Sequence, residues 1–94
     1  MKPDFLIIGA AKSGTNWLAG NLRRNPACFI PDREIHYFSR FHDSEPPEWY
    51  AAFFAGRQPG QLIGERSNTS MTDPRAAGRI HRAAPAAKLL AILR

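Results

Sequence analysis

Lys12 stands between two glycines in the stretch Gly9-Ala10-Ala11-Lys12-Ser13-Gly14-Thr15-Asn16. The apolar run Phe5-Leu6-Ile7-Ile8 precedes it, and Trp17, Leu18 and Leu22 follow. A glycine loop between a buried strand and a helix turns backbone N–H groups and the positive end of the helix dipole toward one point, which makes an anion site. Lys12 adds a mobile positive charge, and the glycines let the backbone come close to a ligand. Glycine-rich turns are common, so the loop alone equally fits a tight strand-to-helix connection with no ligand.

A nucleoside triphosphate is the obvious anion to consider, because Gly9 to Gly14 satisfies the first part of the pattern G-x-x-x-x-G-K-[ST]. The rest of the pattern fails. Thr15 and Asn16 stand where the lysine and the magnesium-binding hydroxyl belong, and the loop's lysine lies two residues before the second glycine. No later apolar run ends in an aspartate that could be the second magnesium anchor. The pattern therefore argues against a magnesium-dependent NTPase. Glu34 and His36, two residues able to move a proton, sit in the mostly apolar segment Glu34-Ile35-His36-Tyr37-Phe38. Taken without the loop, they read as a solvated acid and a structural histidine.

These residues need elements to position them. Phe5 to Ile8 has the continuous apolar character of a parallel strand buried on both faces. Asn16 to Arg24 fits a helix packing back on that strand through Leu18 and Leu22 with Trp17 alongside, ending before Pro26. Cys28-Phe29-Ile30 is a brief extended piece, and Glu34 to Phe38 is ambiguous between strand and helix. Glu45-Pro46-Pro47-Glu48 starts a helix whose apolar face is Trp49, Tyr50, Phe53 and Phe54, core residues rather than a ligand platform. Gln58-Pro59-Gly60-Gln61 is a type II turn feeding a second buried strand, Leu62 to Glu65. Asp73-Pro74 marks an N-cap and first helical position, with Ala77, Ile80 and Ala84 as the apolar face up to Pro85. Lys88 to Leu93 closes the chain as an apolar strand. Strands alternating with helices predict an α/β unit, a P-loop-like parallel sheet with flanking helices, and an incomplete one because no helix follows the last strand.

Ninety-four residues bound this to one compact unit, with 44% hydrophobic and 22% charged residues. The net charge of +5 and a pI near 10.2 suit an anionic ligand. The basic residues are scattered, however, and no nucleic-acid motif or aromatic–basic surface pattern accompanies them. Arg75, Arg79 and Arg82 share a helix face and read as solvated. Cys28 is the only cysteine, so it forms no intrachain disulfide, and it reads as a small buried hydrophobe. There is no convincing cleavage site after the first apolar run and no stretch of the ~20 apolar residues of a membrane span. These features predict a cytoplasmic protein.

The stretch from Phe5 to Leu18 closely resembles the 5′-phosphosulfate-binding loop of sulfotransferases that use 3′-phosphoadenosine 5′-phosphosulfate, including its lysine, its Ser-Gly-Thr and the following tryptophan. Arg33-Glu34-Ile35-His36-Tyr37-Phe38-Ser39 is similar to the glutamate-bearing segment of the heparan type of carbohydrate sulfotransferases. The stretch from Gly64-Glu65-Arg66-Ser67 to Arg94 resembles the part leading into the family's 3′-phosphate site. Residues 1–94 then form the amino-terminal part of a single sulfotransferase domain. The resemblance implies that Ala11, Lys12, Ser13, Gly14, Thr15 and Asn16 hold the donor's 5′-phosphosulfate without a metal, with Lys12 stabilising charge on the leaving phosphate. It implies that Glu34 is the general base toward a hydroxyl or amine of a small-molecule or carbohydrate acceptor, with His36 the runner-up.

Two departures from the family pattern stand out. Arg66, matched to a substrate-binding position, replaces the usual lysine, and Asn68-Thr69-Ser70-Met71 replaces the proline and aromatic that usually follow. Arg94 aligns with the first arginine of the 3′-phosphate site, without the serine and second basic residue expected after it. A non-catalytic remnant, or a module that binds an anion or nucleotide, is the rival reading. The uncovered last strand predicts a homodimer or a partner over the sheet.

Overall fold

The computed structural model describes residues 1–92; Arg94, assigned above to a 3′-phosphate site, lies outside the described residues with Leu93. Four parallel strands, β1 (Phe5–Gly9), β2 (Cys28–Phe29), β3 (Leu62–Arg66) and β4 (Lys88–Ala91), form a sheet in the order β2-β3-β1-β4. Helix α1 (Thr15–Arg23) joins β1 to β2, α2 (Pro47–Ala52) lies between β2 and β3, and α3 (Ala76–Ala83) joins β3 to β4. This is the expected α/β architecture. No helix among the described residues is long and apolar enough to cross a membrane.

Leu6 and Ile7 point to opposite faces of β1 and are both buried, as a continuous apolar run in a central strand requires. On one face, Leu6 and Ile63 meet Ile35, Tyr37, Phe38, Tyr50, Phe54, Ala76 and Ile80. The α2 aromatics belong to this core: Tyr50 stacks on Tyr37, and Trp49 and Phe53 pack at its margin. The ambiguous segment resolves into an extended stretch through Ile35 followed by one π-helical turn, Tyr37–Phe41, which delivers Tyr37 and Phe38 to the core. The turn before β3 closes as its sequence requires, with Gly60 at φ +86° and the Gln61 N–H donating to the Gln58 carbonyl.

Several expectations change. In α1 the buried residues are Thr15 and Ala19, four apart, while Leu18 and Leu22 are half-buried and Trp17 is 70% exposed. At 100° per residue, a face centred on Thr15 and Ala19 turns Trp17 away from the sheet. The α3 face is Ala76, Arg79 and Ile80 rather than Ala77, because the helix proper starts at Ala76. Asp73 is not the N-cap, which is Arg75; its carboxylate instead accepts the Arg75 N–H at 2.9 Å in the turn that leads into the helix. Arg79 is 8% exposed and not solvated: its guanidinium donates to the carbonyls of Phe38 and Ser39 and to the Asp43 carboxylate. Cys28, in the short edge strand, is half-buried. On the other edge Leu89 of β4 is 51% exposed.

Gly64 shows how tightly the central strands meet. It pairs with Phe5 across β1 and β3, and a Cβ there would lie 2.0 Å from a carbon of the Phe5 ring. The aromatic ring occupies the space a side chain would fill. Gly64→Ala is expected to lower unfolding stability by about 3 kcal/mol, the upper end of overpacking costs, and Phe5→Leu in the same chain to restore part of it. Urea titration of the two variants beside the parent measures both effects; equal midpoints for Gly64→Ala and the parent would refute this account of the packing.

Candidate functional site

Parallel pairing aligns strand ends of the same polarity. Ile7 of β1 lies opposite Arg66 of β3, and Phe29 of β2 opposite Ile63 of β3, so three chain exits gather at one edge. The exit of β1 is the loop Ala10 to Gly14, that of β2 leads to Glu34 and His36, and that of β3 is Ser67 to Thr69. The connection after β1 runs to β2, whereas the one after β3 crosses β1 to reach β4. Adjacent strands thus send their chains in opposite directions, and a crevice opens between them at the carboxyl ends, where ligands of such sheets bind.

In the loop, Lys12 has φ +60° and Gly14 φ +94°, so two left-handed residues bend the backbone around the approach to α1. The first intrahelical bond runs from the Leu18 N–H to the Gly14 carbonyl. The N–H groups of Thr15, Asn16 and Trp17 lie ahead of it in the first turn, with no carbonyl one turn earlier to accept them. Gly9 is needed for a different reason: a Cβ there would lie 2.9 Å from the Met71 side chain, so only glycine lets β1 leave the sheet beside the turn after β3.

Opposite the loop, the Glu34 carboxylate accepts the Asn68 N–H at 2.8 Å and lies 3.7 Å from the Arg66 guanidinium and 3.8 Å from Nε2 of His36. His36 adopts φ +59°, a left-handed conformation uncommon for residues other than glycine, though histidine takes it more often than most. Its Nδ1 is 2.7 Å from the Thr69 hydroxyl, which in turn bonds Ser39. Burial lowers the His36 pKa, and of its charged neighbours Glu34 opposes this while Arg40 and Arg66 reinforce it. The imidazole is accordingly neutral near pH 7 and one ring nitrogen can accept a proton.

A cavity of about 510 Å³ is lined by Ala11, Lys12, Gly14, Thr15, Asn16, Glu34, Arg66 and Asn68. The sequence-selected loop, the glutamate and Arg66 therefore face one space, with Lys12 on one side and the Glu34–Arg66 pair on the other. Ser13 lies in the loop outside this lining, and His36 sits behind Glu34. Among the described residues no cluster of three or more His, Cys, Asp or Glu side chains is placed to hold a metal. A second cavity of about 660 Å³, lined by Ser39, Arg40, Thr69, Thr72, Asp73, Pro74 and Arg75, opens on the far side of the His36–Thr69 contact.

Sequence reasoning missed the residues that hold the glutamate segment. Arg23 donates to the carbonyls of Ile30 and Pro31, Ser67 accepts the N–H groups of Ile35 and His36, and Arg79 ties down Phe38 and Ser39. Only Glu65 carried a local signal, as a lone acid in the apolar strand Leu62-Ile63-Gly64-Glu65.

A parallel sheet carrying a glycine loop at its switch point, with a lysine inside the loop and a carboxylate across the crevice, defines an α/β protein whose loop has the form of an anion site and departs from that of the magnesium-dependent NTPases. The comparisons narrow the class. A sulfotransferase structure from Alicyclobacillus acidocaldarius superposes with a TM-score of 0.86 at 30% identity, covering 97% of this chain and 44% of that one. The membrane-associated sulfotransferase kil1 of Dictyostelium discoideum is 33% identical over 98% of this chain, and heparan sulfate glucosamine 3-O-sulfotransferase 6 of Mus musculus is 32% identical over 98%. The bifunctional heparan sulfate N-deacetylase/N-sulfotransferase 1 of Caenorhabditis briggsae is 36% identical over 97%. The chain belongs with the sulfotransferases, to which it is homologous along nearly its whole length. It spans 20%, 27% and 11% of those three relatives, and no family model matches it.

Glu65 is 1% exposed, and burial pushes its pKa up to about 7, against a lowering contribution from the Ser67 hydrogen bond. Between the unfolded value of 4.5 and about 7 the folded chain holds a proton that the unfolded chain has released. The contribution of Glu65 to stability is therefore fully present below pH 4.5 and is lost as pH rises toward 7, by roughly 3 kcal/mol for a shift of this size. Glu65→Gln is expected to flatten that part of the stability curve, as measured by chemical denaturation at intervals from pH 5 to pH 8; an unchanged slope would show that Glu65 is not the group responsible.

Proposed function

We propose that the protein carrying this chain moves a sulfuryl group from 3′-phosphoadenosine 5′-phosphosulfate to a hydroxyl or amine of a carbohydrate-like acceptor. The observation that carries this reading is the single cavity shared by Lys12 and the α1 amino terminus on one side and Glu34 and Arg66 on the other. The backbone from Ala11 to Asn16 and the Thr15 hydroxyl hold the 5′-phosphosulfate, and the missing magnesium-binding hydroxyl is no loss for a donor that needs no metal at this step.

Glu34 takes the acceptor's proton as the acceptor oxygen or nitrogen forms its bond to sulfur. The bond from sulfur to the bridging phosphate oxygen breaks, leaving its electron pair on adenosine 3′,5′-bisphosphate. Lys12 meets the charge that builds there, and Arg66 orients Glu34 and faces the sulfuryl oxygens. His36, neutral and linked through Thr69 to Ser39, is the alternative base. The second cavity supports an acceptor rich in hydroxyl groups, since Ser39, Thr69 and Thr72 offer hydroxyls and Arg40 a charge, while Arg75 there is paired with Asp73.

Calorimetry is expected to show tighter binding of adenosine 3′,5′-bisphosphate than of ATP with magnesium. Stronger, magnesium-dependent ATP binding would overturn the reading. Binding of the bisphosphate with no sulfuryl transfer to any glycan acceptor would leave an anion-binding module. In a sulfuryl-transfer assay, Glu34→Gln is expected to lower turnover about a hundredfold or more while changing donor affinity by less than about twofold, because the base acts on the acceptor. Loss of turnover in His36→Ala but not in Glu34→Gln would move the base to His36.

A further inference from the structure

Glu65 lies in the middle of the buried sheet, and the transfer step above does not use it. Its Oε2 accepts the Ser67 hydroxyl proton at 2.6 Å. Its Oε1 is buried without a hydrogen-bond partner among the described residues. The Ser67 oxygen also accepts two successive backbone N–H groups, Ile35 at 3.2 Å and His36 at 2.9 Å. A hydroxyl has one proton and two lone pairs, so every hydrogen-bonding capacity of Ser67 is committed. Without an acceptor at Glu65 the hydroxyl proton would be free to rotate toward the amides and displace one of them.

From these contacts we infer that Glu65 and Ser67 form a positioning pair that fixes the backbone between Glu34 and His36 and so aims the base at the acceptor. The inference rests on the proposed sulfuryl transfer for its kinetic consequence, though not for its structural one. The backbone being held is the one where His36 takes a left-handed conformation, which costs about 1–2 kcal/mol per residue and persists only when neighbours enforce it. Asn68, next to Ser67, completes the hold by donating its N–H to the Glu34 carboxylate. The end of β3 thus grips both the side chain and the backbone of the base segment. Either protonation state of Glu65 leaves Oε2 able to accept.

A buried carboxyl with one idle oxygen adds little to stability, because its desolvation offsets what its single hydrogen bond to Ser67 returns. Its presence is explained by orientation instead. Three variants of the protein carrying this chain test this: Ser67→Ala, Glu65→Met and Glu65→Gln. Ser67→Ala and Glu65→Met are each expected to lower turnover about tenfold to a hundredfold, the effect of misplacing a catalytic group by about 1 Å, with donor affinity within about twofold of the parent. Glu65→Gln keeps an acceptor oxygen and is expected to stay within about threefold of the parent. Combining Ser67→Ala with Glu65→Met should give a chain no slower than Ser67→Ala alone, because both changes release the same segment. Glu65→Met should unfold cooperatively with a midpoint above the assay temperature, separating misorientation from loss of fold.

Amide exchange at Ile35 and His36 provides a readout independent of turnover. It should accelerate in Ser67→Ala and Glu65→Met and not in Glu65→Gln. If the parent transfers no sulfuryl group, the proposed function fails while the exchange pattern still decides whether the pair holds the segment. Parent-like turnover in Glu65→Met, turnover in Glu65→Gln as low as in Glu65→Met, or unchanged exchange in both disruptive variants would each overturn the inference.

Discussion

The parallel pairing of β1 with β3 is the constraint on which the rest depends. It sets Ile7 beside Arg66 and brings the exits of both strands to one edge. Had the two strands run antiparallel, the glycine loop would lie at one end of the sheet and Arg66, Ser67 and Asn68 at the other. The pairing requires glycine at position 64, because the Phe5 ring fills the space beside it. A core packing demand deep in the sheet therefore decides whether the crevice exists.

Around that crevice the hydrophobic core and the polar contacts have separate tasks. Tyr37, Phe38, Tyr50 and Phe54 bury the segment after β2 against the sheet, a non-directional attraction that brings it to the right neighbourhood. Orientation comes from hydrogen bonds. Arg23 of α1, Ser67 at the exit of β3 and Arg79 of α3 each bind backbone groups of the stretch from Ile30 to Ser39. Burying a guanidinium or a carboxyl is unfavourable unless its partners are present, so such groups specify one arrangement more than they add stability. The loop after β1 works differently: its shape comes from glycine and left-handed backbone, and its ligand-facing groups are main-chain N–H groups that need no side-chain partner.

The sequence determined those features of this protein that depend on neighbours along the chain. Phe5 to Ile8 reads as a buried strand because β1 is covered on both faces, and the loop from Gly9 to Asn16 reads as an anion site because strand, glycines and helix start are contiguous. The turn at Pro59-Gly60 and the aromatic face of α2 were legible for the same reason. The family resemblance added roles for Glu34, His36 and Arg66 that their types alone did not carry. What only the tertiary structure decided is everything that joins residues distant in sequence. Trp17 turned outward because the sheet took the Thr15–Ala19 face of α1, and Arg79 is held inside by hydrogen bonds to the carbonyls of Phe38 and Ser39, about forty positions away. The meeting of Lys12 with Glu34, and of Ser67 with the backbone of Ile35 and His36, exists only after β3 has inserted between β1 and β2. Local sequence sets backbone conformation and periodicity, whereas hydrogen bonds between separate elements are set by strand order and register, which no single stretch encodes.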